Sequence, residues 1–291
     1  MKTFYSLMFI LLSLCLIALV FFHYYFDRKA SHIATSPSRY IETSIQNKGD
    51  VCKEKTNSSI PPNLNQEGWG LIWHDEFDSL CLSSSKWNIE DWAANKNNEL
   101  QYYSPDNVKV ENGVLTLTSR QESFKGRDYT SGAVHTQGKF DFLYGKAEMR
   151  AKLPAGQGIF PAFWMMTDKE ETWLPEIDIM EMLGHRPDEI WMVHHWLDSN
   201  GNLQSNSGSF KGSNFSTDYH TFGIEWTPDS ITWFIDGVER FKSEVSVPNE
   251  RMYLYLNTAV GGIWPGDPDH TTVFPVQFDI DYVRVYEKKG E

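Results

Sequence analysis

Three cysteines among 291 residues are too few for a disulfide framework. Cys15 lies in an apolar N-terminal run, which leaves Cys52 and Cys81 to pair, and only in an exported protein. Basic residues are also short, 26 Lys and Arg against 39 Asp and Glu, for a formal net charge of −13. That balance argues against nucleic acid and anionic membrane surfaces, which need a basic footprint, and leaves room for a neutral substrate. There is no Gly-rich phosphate loop, no His-Glu-x-x-His metal pattern and no internal repeat of fixed period. Long amphipathic helical patterns are missing too. Aromatic residues, by contrast, make up 14% of the chain and include 11 Trp, more than a core alone needs. The excess points to a ring-stacking surface.

Charge is absent from Phe4 to Phe22, FYSLMFILLSLCLIALVFF. At about 19 residues this run is close to the roughly 20 that span a bilayer as a helix. It is also longer than the usual signal-peptide core, and the bulky residues His23, Tyr24, Tyr25 and Phe26 offer no small-residue cleavage site. Residues 1–29 are therefore expected to be a signal anchor, with a cleaved signal peptide as the alternative. Lys2 before the run and Arg28 and Lys29 after it leave the orientation of an anchor open, and the expected location of the remainder is extracytoplasmic, membrane-anchored or secreted. Residues 30–66, rich in Ser, Thr, Asn, Lys and Pro, have the composition of a flexible tether. Residues 67–291 are expected to form one folded domain, and a monomer needs nothing further to work.

Within that domain, short alternating runs recur at Val114–Thr118, Lys146–Lys152, Thr221–Trp226, Ile231–Ile235 and Tyr282–Tyr286. Turn signals such as Asn112-Gly113, Pro228-Asp229 and Asp236-Gly237 separate them. Period-two alternation of this length predicts the strands of an all-β sandwich or barrel.

The run Glu176-Ile-Asp178-Ile-Met-Glu181 concentrates carboxylates among apolar residues that must be buried. On a helix the three acids would point about 0°, 200° and 140° around the axis, with no common face. On a strand Glu176 and Asp178 share a face, and Glu181 joins them only if one extra residue is inserted, as a β-bulge does. Two carboxyls about 5 to 5.5 Å apart cleave a glycosidic bond with retention. Three such groups crowded together cannot all ionise cheaply, so at least one should keep a proton at neutral pH. An acidic solvent-facing strand has the same spacing, and the spacing alone does not separate the two readings.

The flanking residues bring in a resemblance. Glu176-x-Asp178-x-x-Glu181, with Trp73–Phe77, Asn97–Tyr103, Ser131-Gly132, Lys139-Phe140, Tyr144-Gly145, Lys152–Gly156, Pro161–Trp164, Phe222–Trp226 and Ala259–Gly262, resembles glycoside hydrolase family 16 and its laminarinase (endo-β-1,3-glucanase) branch. The resemblance implies a jelly-roll β-sandwich of two curved antiparallel sheets with a concave glycan cleft, and hydrolysis of a β-1,3-linked glucan through a covalent glycosyl-enzyme. Glu176 would be the nucleophile, Glu181 the acid/base, and Asp178 a hydrogen-bond partner of the nucleophile. His195 resembles a cleft histidine, and by strand parity His194 then faces the other way. Trp164, Trp173 and Trp264 are candidate sugar platforms, and Asn97, Glu99 and Asn257 candidate partners of sugar hydroxyls. Trp226 and Trp233 are assigned to packing.

Catalysis of this kind needs no cofactor. The resemblance implies a structural calcium held by the Asp281 side chain with backbone oxygens near Glu76 and Gly113, and oxygen ligands suit that ion. The segment Thr167–Pro175 departs from the family pattern by lacking the usual small-residue turn. Mixed-linkage glucan or a galactan stays open as substrate, and transglycosylation stays open as outcome. A catalytically silent glucan-binding receptor is the alternative from another class, although all three carboxylates are present.

Overall fold

The computed structural model describes residues 66–169 and 172–290. The expected anchor at 1–29, the linker at 30–66 and Cys52 lie outside the described residues, apart from Gln66 at the linker's end. Cys81 is disulfide-bonded. No described helix is long and apolar enough to cross a membrane.

The described residues form strands β1 (Trp69–Asp75), β2 (Asn88–Ile89), β3 (Trp92–Ala93), β4 (Gln101–Tyr103), β5 (Val108–Glu111), β6 (Val114–Phe124), β7 (Arg127–Ser131), β8 (Ala133–His135) and β9 (Gly145–Lys152). They continue with β10 (Ile159–Thr167), β11 (Glu176–Met182), β12 (Glu189–Leu197), β13 (Leu203–Lys211), β14 (His220–Trp226), β15 (Ile231–Ile235), β16 (Val238–Ser243), β17 (Met252–Val260) and β18 (Val276–Lys288). One sheet of seven strands runs β13-β12-β11-β10-β17-β8-β2. The other, of eleven, runs β16-β15-β14-β9-β18-β6-β7-β4-β3, with β1 on β18 and β5 on β6. Pairing is antiparallel except between β4 and β7, so the all-β jelly-roll sandwich expected from the sequence is the fold.

Alternation builds the core. On β9, Ala147, Met149 and Ala151 are buried while Lys146, Glu148 and Arg150 are not, and β10 buries Phe163 and Met165 against Ile177, Ile179 and Met180 of β11. Each such side chain, taken fully out of water, contributes about 1.5–3 kcal/mol. Trp226 and Trp233 are fully buried here, in the packing role expected of them. The opposite parity of the seven-stranded sheet carries the polar and aromatic residues described next. At one end of that outward face a second cluster of Ala94, Tyr103, Ala133, Tyr253 and Tyr255 packs with Trp92, Trp164 and Met166.

Candidate active site

The register of β11 against its neighbours contains the expected insertion. Asp178 lies opposite Val193 and Glu181 opposite Trp191, so three steps on β11 match two on β12. Against β10, Met180 pairs with Phe163 and Asp178 with Trp164, which leaves Ile179 as the extra residue. The bulge turns Glu181 to the face that already holds Glu176 and Asp178, while Ile177, Ile179, Met180 and Met182 stay in the core. A bulge disrupts ladder pairing locally, and the backbone carbonyl of Asp178 finds its partner in the opposite sheet, where the Trp233 indole of β15 donates to it at 2.9 Å.

Burial governs the electrostatics. It pushes Glu176 well above the usual carboxylate range, with Asp178 and then Glu181 adding their repulsion. Burial likewise brings Asp178 up to about 8, and it raises Glu181 strongly, with Asp178 contributing. The charges acting on Glu176 are all of its own sign, and a cluster of this kind keeps protons at neutral pH.

His195 on β12 sits across from Glu176, its Nε2 3.9 Å from Glu176 Oε1 and 3.5 Å from Asp178 Oδ2. Burial pulls it down to about 4, with His194 contributing, so the imidazole is neutral at pH 7. His194 points the other way, fully buried and stacked on Trp196 at 4.4 Å, as strand parity requires. Trp173 meets the His195 ring edge-on at 6.1 Å. The segment that leads into Glu176 carries a cis Leu174–Pro175 peptide.

The other candidates are placed less directly. Trp164 lies on the carboxylate face, one strand from Asp178, against Tyr255 at 4.7 Å. Asn257 accepts from Trp164 Nε1 at 2.8 Å and donates to Tyr103 Oη at 2.9 Å, so its amide positions aromatic rings. Trp264 is 44% exposed and forms a corner with Trp191 and Phe160, centroids 5.6 and 5.4 Å away. Asn97 and Glu99 stand by the same loop. The Asn97 carbonyl accepts from Ile263 N at 2.8 Å, and Glu99 accepts from Gln101 at 2.8 Å. Gly262, at φ +124, has Asn97 O only 3.3 Å from where a Cβ would stand, and this left-handed backbone favours glycine at the approach of the two loops.

Sequence reasoning missed Trp191, Tyr255, His135 and Glu90. Trp191 shares parity with His195 on one strand and faces Glu181, a signal the sequence contained. Tyr255 donates to Glu90 at 2.7 Å and stacks on His135 at 5.4 Å, contacts between segments far apart in the chain that no local pattern announces.

The expected calcium ligands lie on the large sheet. Register sets Asp75 opposite Val283 and Leu115 opposite Ile280, so the chain after β1 and the β5–β6 turn both come level with Asp281–Tyr282. One carboxylate and two carbonyls there are all-oxygen donors of the kind calcium takes. Arg150 already holds Asp281 at 2.6 Å and Arg284 clamps the Glu76 side chain at 2.9 and 2.7 Å. A cation would therefore use the Glu76 carbonyl and share Asp281 with a guanidinium.

The profile of the Glycosyl hydrolases family 16 matches residues 94–284. A second, for the Beta-glucan synthesis-associated protein SKN1/KRE6/Sbg1, matches residues 3–170 and ends before the carboxylate strand. A β-glucanase of Rhodothermus marinus is 38% identical over 253 residues, 75% of this chain and 85% of that protein. Glucan endo-1,3-β-glucosidase A1 of Niallia circulans is 33% identical over 277 residues, 81% of this chain but 40% of that longer protein. The catalytic domain of an endo-1,3-β-glucanase (laminarinase) from Thermotoga petrophila superposes with a TM-score of 0.71 at 39% identity, over 76% of this chain and 99% of that one. With the likeness spread over three quarters of the sequence and one fold in common, the chain belongs to glycosyl hydrolase family 16, in its laminarinase-like branch, and is an enzyme of that family.

Proposed function

We propose that the chain hydrolyses β-1,3-linked glucan internally and with retention, and that it does so outside the cytoplasm, as a monomer anchored or exported by its N-terminal segment. The observation that carries the chemistry is the bulge that sets Glu176, Asp178 and Glu181 on one face of β11. Glu176 attacks the anomeric carbon and forms a glycosyl-enzyme while Glu181 gives its proton to the departing glycosidic oxygen. Glu181, now a carboxylate, takes a proton from water, and that water displaces Glu176. Asp178 keeps its proton to about 8, which removes the repulsion a second carboxylate would exert and lets it donate to Glu176 as that group loses its proton to attack, while burial keeps the proton on Glu181. The negative chain and the aromatic surfaces of Trp164, Trp173 and Trp264 favour a neutral polysaccharide over a sulfated one. The substrate itself is inferred from the relatives.

The test is release of new reducing ends from laminarin, mixed-linkage glucan and agarose by the purified protein, with Glu176→Gln and Glu181→Gln alongside. Short oligosaccharides from laminarin, reduced at least about 100-fold in both variants, are expected. Cleavage of agarose alone would keep the mechanism and overturn the substrate; binding without cleavage would make the chain a receptor. The match to the glucan-synthesis-associated profile favours one second reading, transfer to a glucan acceptor. It uses the same intermediate and is detected as products longer than the substrate.

A further inference from the structure

We propose that Glu176, Asp178 and His195 also form a reversible inhibitory site for a divalent transition-metal ion of the zinc class, which on binding withdraws the nucleophile from substrate. The proposal rests on the cluster's geometry and not on which glycan is cut. One ligand atom from each of the three residues lies within 4.8 Å of the others. The imidazole Nε2 is 3.5 Å from Asp178 Oδ2 and 3.9 Å from Glu176 Oε1. Ligand bonds of about 2.0–2.1 Å around tetrahedral zinc put neighbouring donors roughly 3.3 Å apart, so the cluster needs only small side-chain rotations to close on an ion.

A second observation points the same way. Asp178 is 3% exposed, yet its Oδ2 has no hydrogen-bond partner among the described residues. Buried carboxylate oxygens are seldom left in that state, and this one faces the imidazole. A cation would satisfy it, displacing to solvent the proton that Asp178 otherwise keeps, and would offset a face whose acidic groups repel one another once ionised. Nitrogen and carboxylate donors in one set suit zinc, cobalt and copper, whereas magnesium and calcium favour oxygen alone. The side chains of His195 and Glu176 retain 25% and 14% of their exposure, which leaves a way in and room for a water as fourth ligand. His195 Nδ1 has no acceptor among the described residues, although histidines of resident metal centres normally donate from that second nitrogen. The ion is therefore one that comes and goes.

The experiment uses the purified full-length protein at fixed pH with zinc sulfate, cobalt chloride or magnesium chloride. Zinc is expected to raise the melting temperature by several degrees and to abolish whatever glycan cleavage the protein shows, with recovery on adding EDTA, and magnesium to do neither. Cobalt should give the strong visible absorption of a four-coordinate centre, a readout independent of activity. Glu176→Gln and His195→Gln should each lose the absorption. His220→Gln, which removes a surface imidazole paired with Asp236 at 2.7 Å, should keep it. A weak octahedral cobalt spectrum in the wild type overturns the proposal, as does a signal that survives both active-face variants or vanishes in His220→Gln. If one active-face variant fails to fold, the other and the wild-type spectrum still decide. Cobalt binding by a protein that cleaves no glucan would sink the function proposed above and leave this inference standing.

Discussion

Glu176 is held in a place that opposes its charge, buried beside two acids, so the residue proposed to act as nucleophile also destabilises the fold. Its folded-state pKa lies above the ordinary glutamate value of 4.5. Between those two values the folded protein binds a proton that the unfolded chain has released, and stability falls as pH rises through that window. Glu176→Gln removes the ionisation. At pH 7 the variant should be more stable than the parent by about 0.5–2 kcal/mol, or about 2–4 °C in Tm for each kcal/mol, while activity is lost. Below about pH 4.5, where both states of the parent are protonated, the advantage should vanish. Differential scanning calorimetry of the two proteins across pH checks this; a variant less stable than the parent at pH 7 would mean that the carboxylate is satisfied and not strained. The three acids were legible in the sequence only when their spacing was taken with the flanking motifs, because the spacing alone also fits an acidic solvent-facing strand. The companion Trp191 was legible by parity and overlooked. Asn257 was legible only in part, since its bonds to Trp164 and Tyr103 join residues about a hundred positions away or more.

At the scale of the element, the carboxylate strand is shaped by its bulge, and the bulge leans on the far sheet. The Asp178 carbonyl accepts from the Trp233 indole, which is fully buried. Trp233→Phe keeps most of the ring and deletes the donor, leaving a buried carbonyl unpaired at a cost of about 1–3 kcal/mol. The freed backbone should let Asp178 and Glu181 shift, and misplacement of reacting groups by about 1 Å costs up to about 100-fold in rate. The expected result is kcat lower by roughly tenfold or more with KM little changed, because Trp233 touches no part of the outward face. Proportionate losses in both constants, or a loss of stability alone, would make Trp233 ordinary core. That β11 is bulged could be read from Glu-x-Asp-x-x-Glu. That a Trp of β15 would hold it could not, because which strand of one sheet stacks over which strand of the other is fixed by chain-distant ladders such as β10 on β17 and the parallel pairing of β4 with β7.

Across the whole molecule the perturbed carboxylates of the two sheets answer pH with opposite signs. On the seven-stranded sheet the raised carboxylates weaken the fold as pH rises. On the large sheet Glu76 behaves the other way: burial alone would push it up, but hydrogen bonds from Arg284 and His74 outweigh burial and bring it down to about 2. A carboxylate with a depressed folded pKa contributes stability that is complete above its unfolded value of 4.5 and is lost as pH falls toward 2; the full shift would be worth about 3 kcal/mol, and solvent screening of this half-buried pair reduces it to roughly 1–2 kcal/mol. Glu76→Gln should therefore destabilise at pH 7 by about that much and flatten the acid limb of the stability curve between roughly pH 4.5 and 2. Glu176→Gln should instead flatten the alkaline limb. The parent, carrying both, should be most stable at intermediate pH, and urea unfolding of the three proteins at a series of pH values separates the limbs. Should Glu76→Gln leave the acid limb as steep as before, the large sheet's ion pairs would be surface ornaments of little energy, and acid sensitivity would have to come from elsewhere, with the buried imidazole of His194, drawn down to about 4 by burial, next to be replaced.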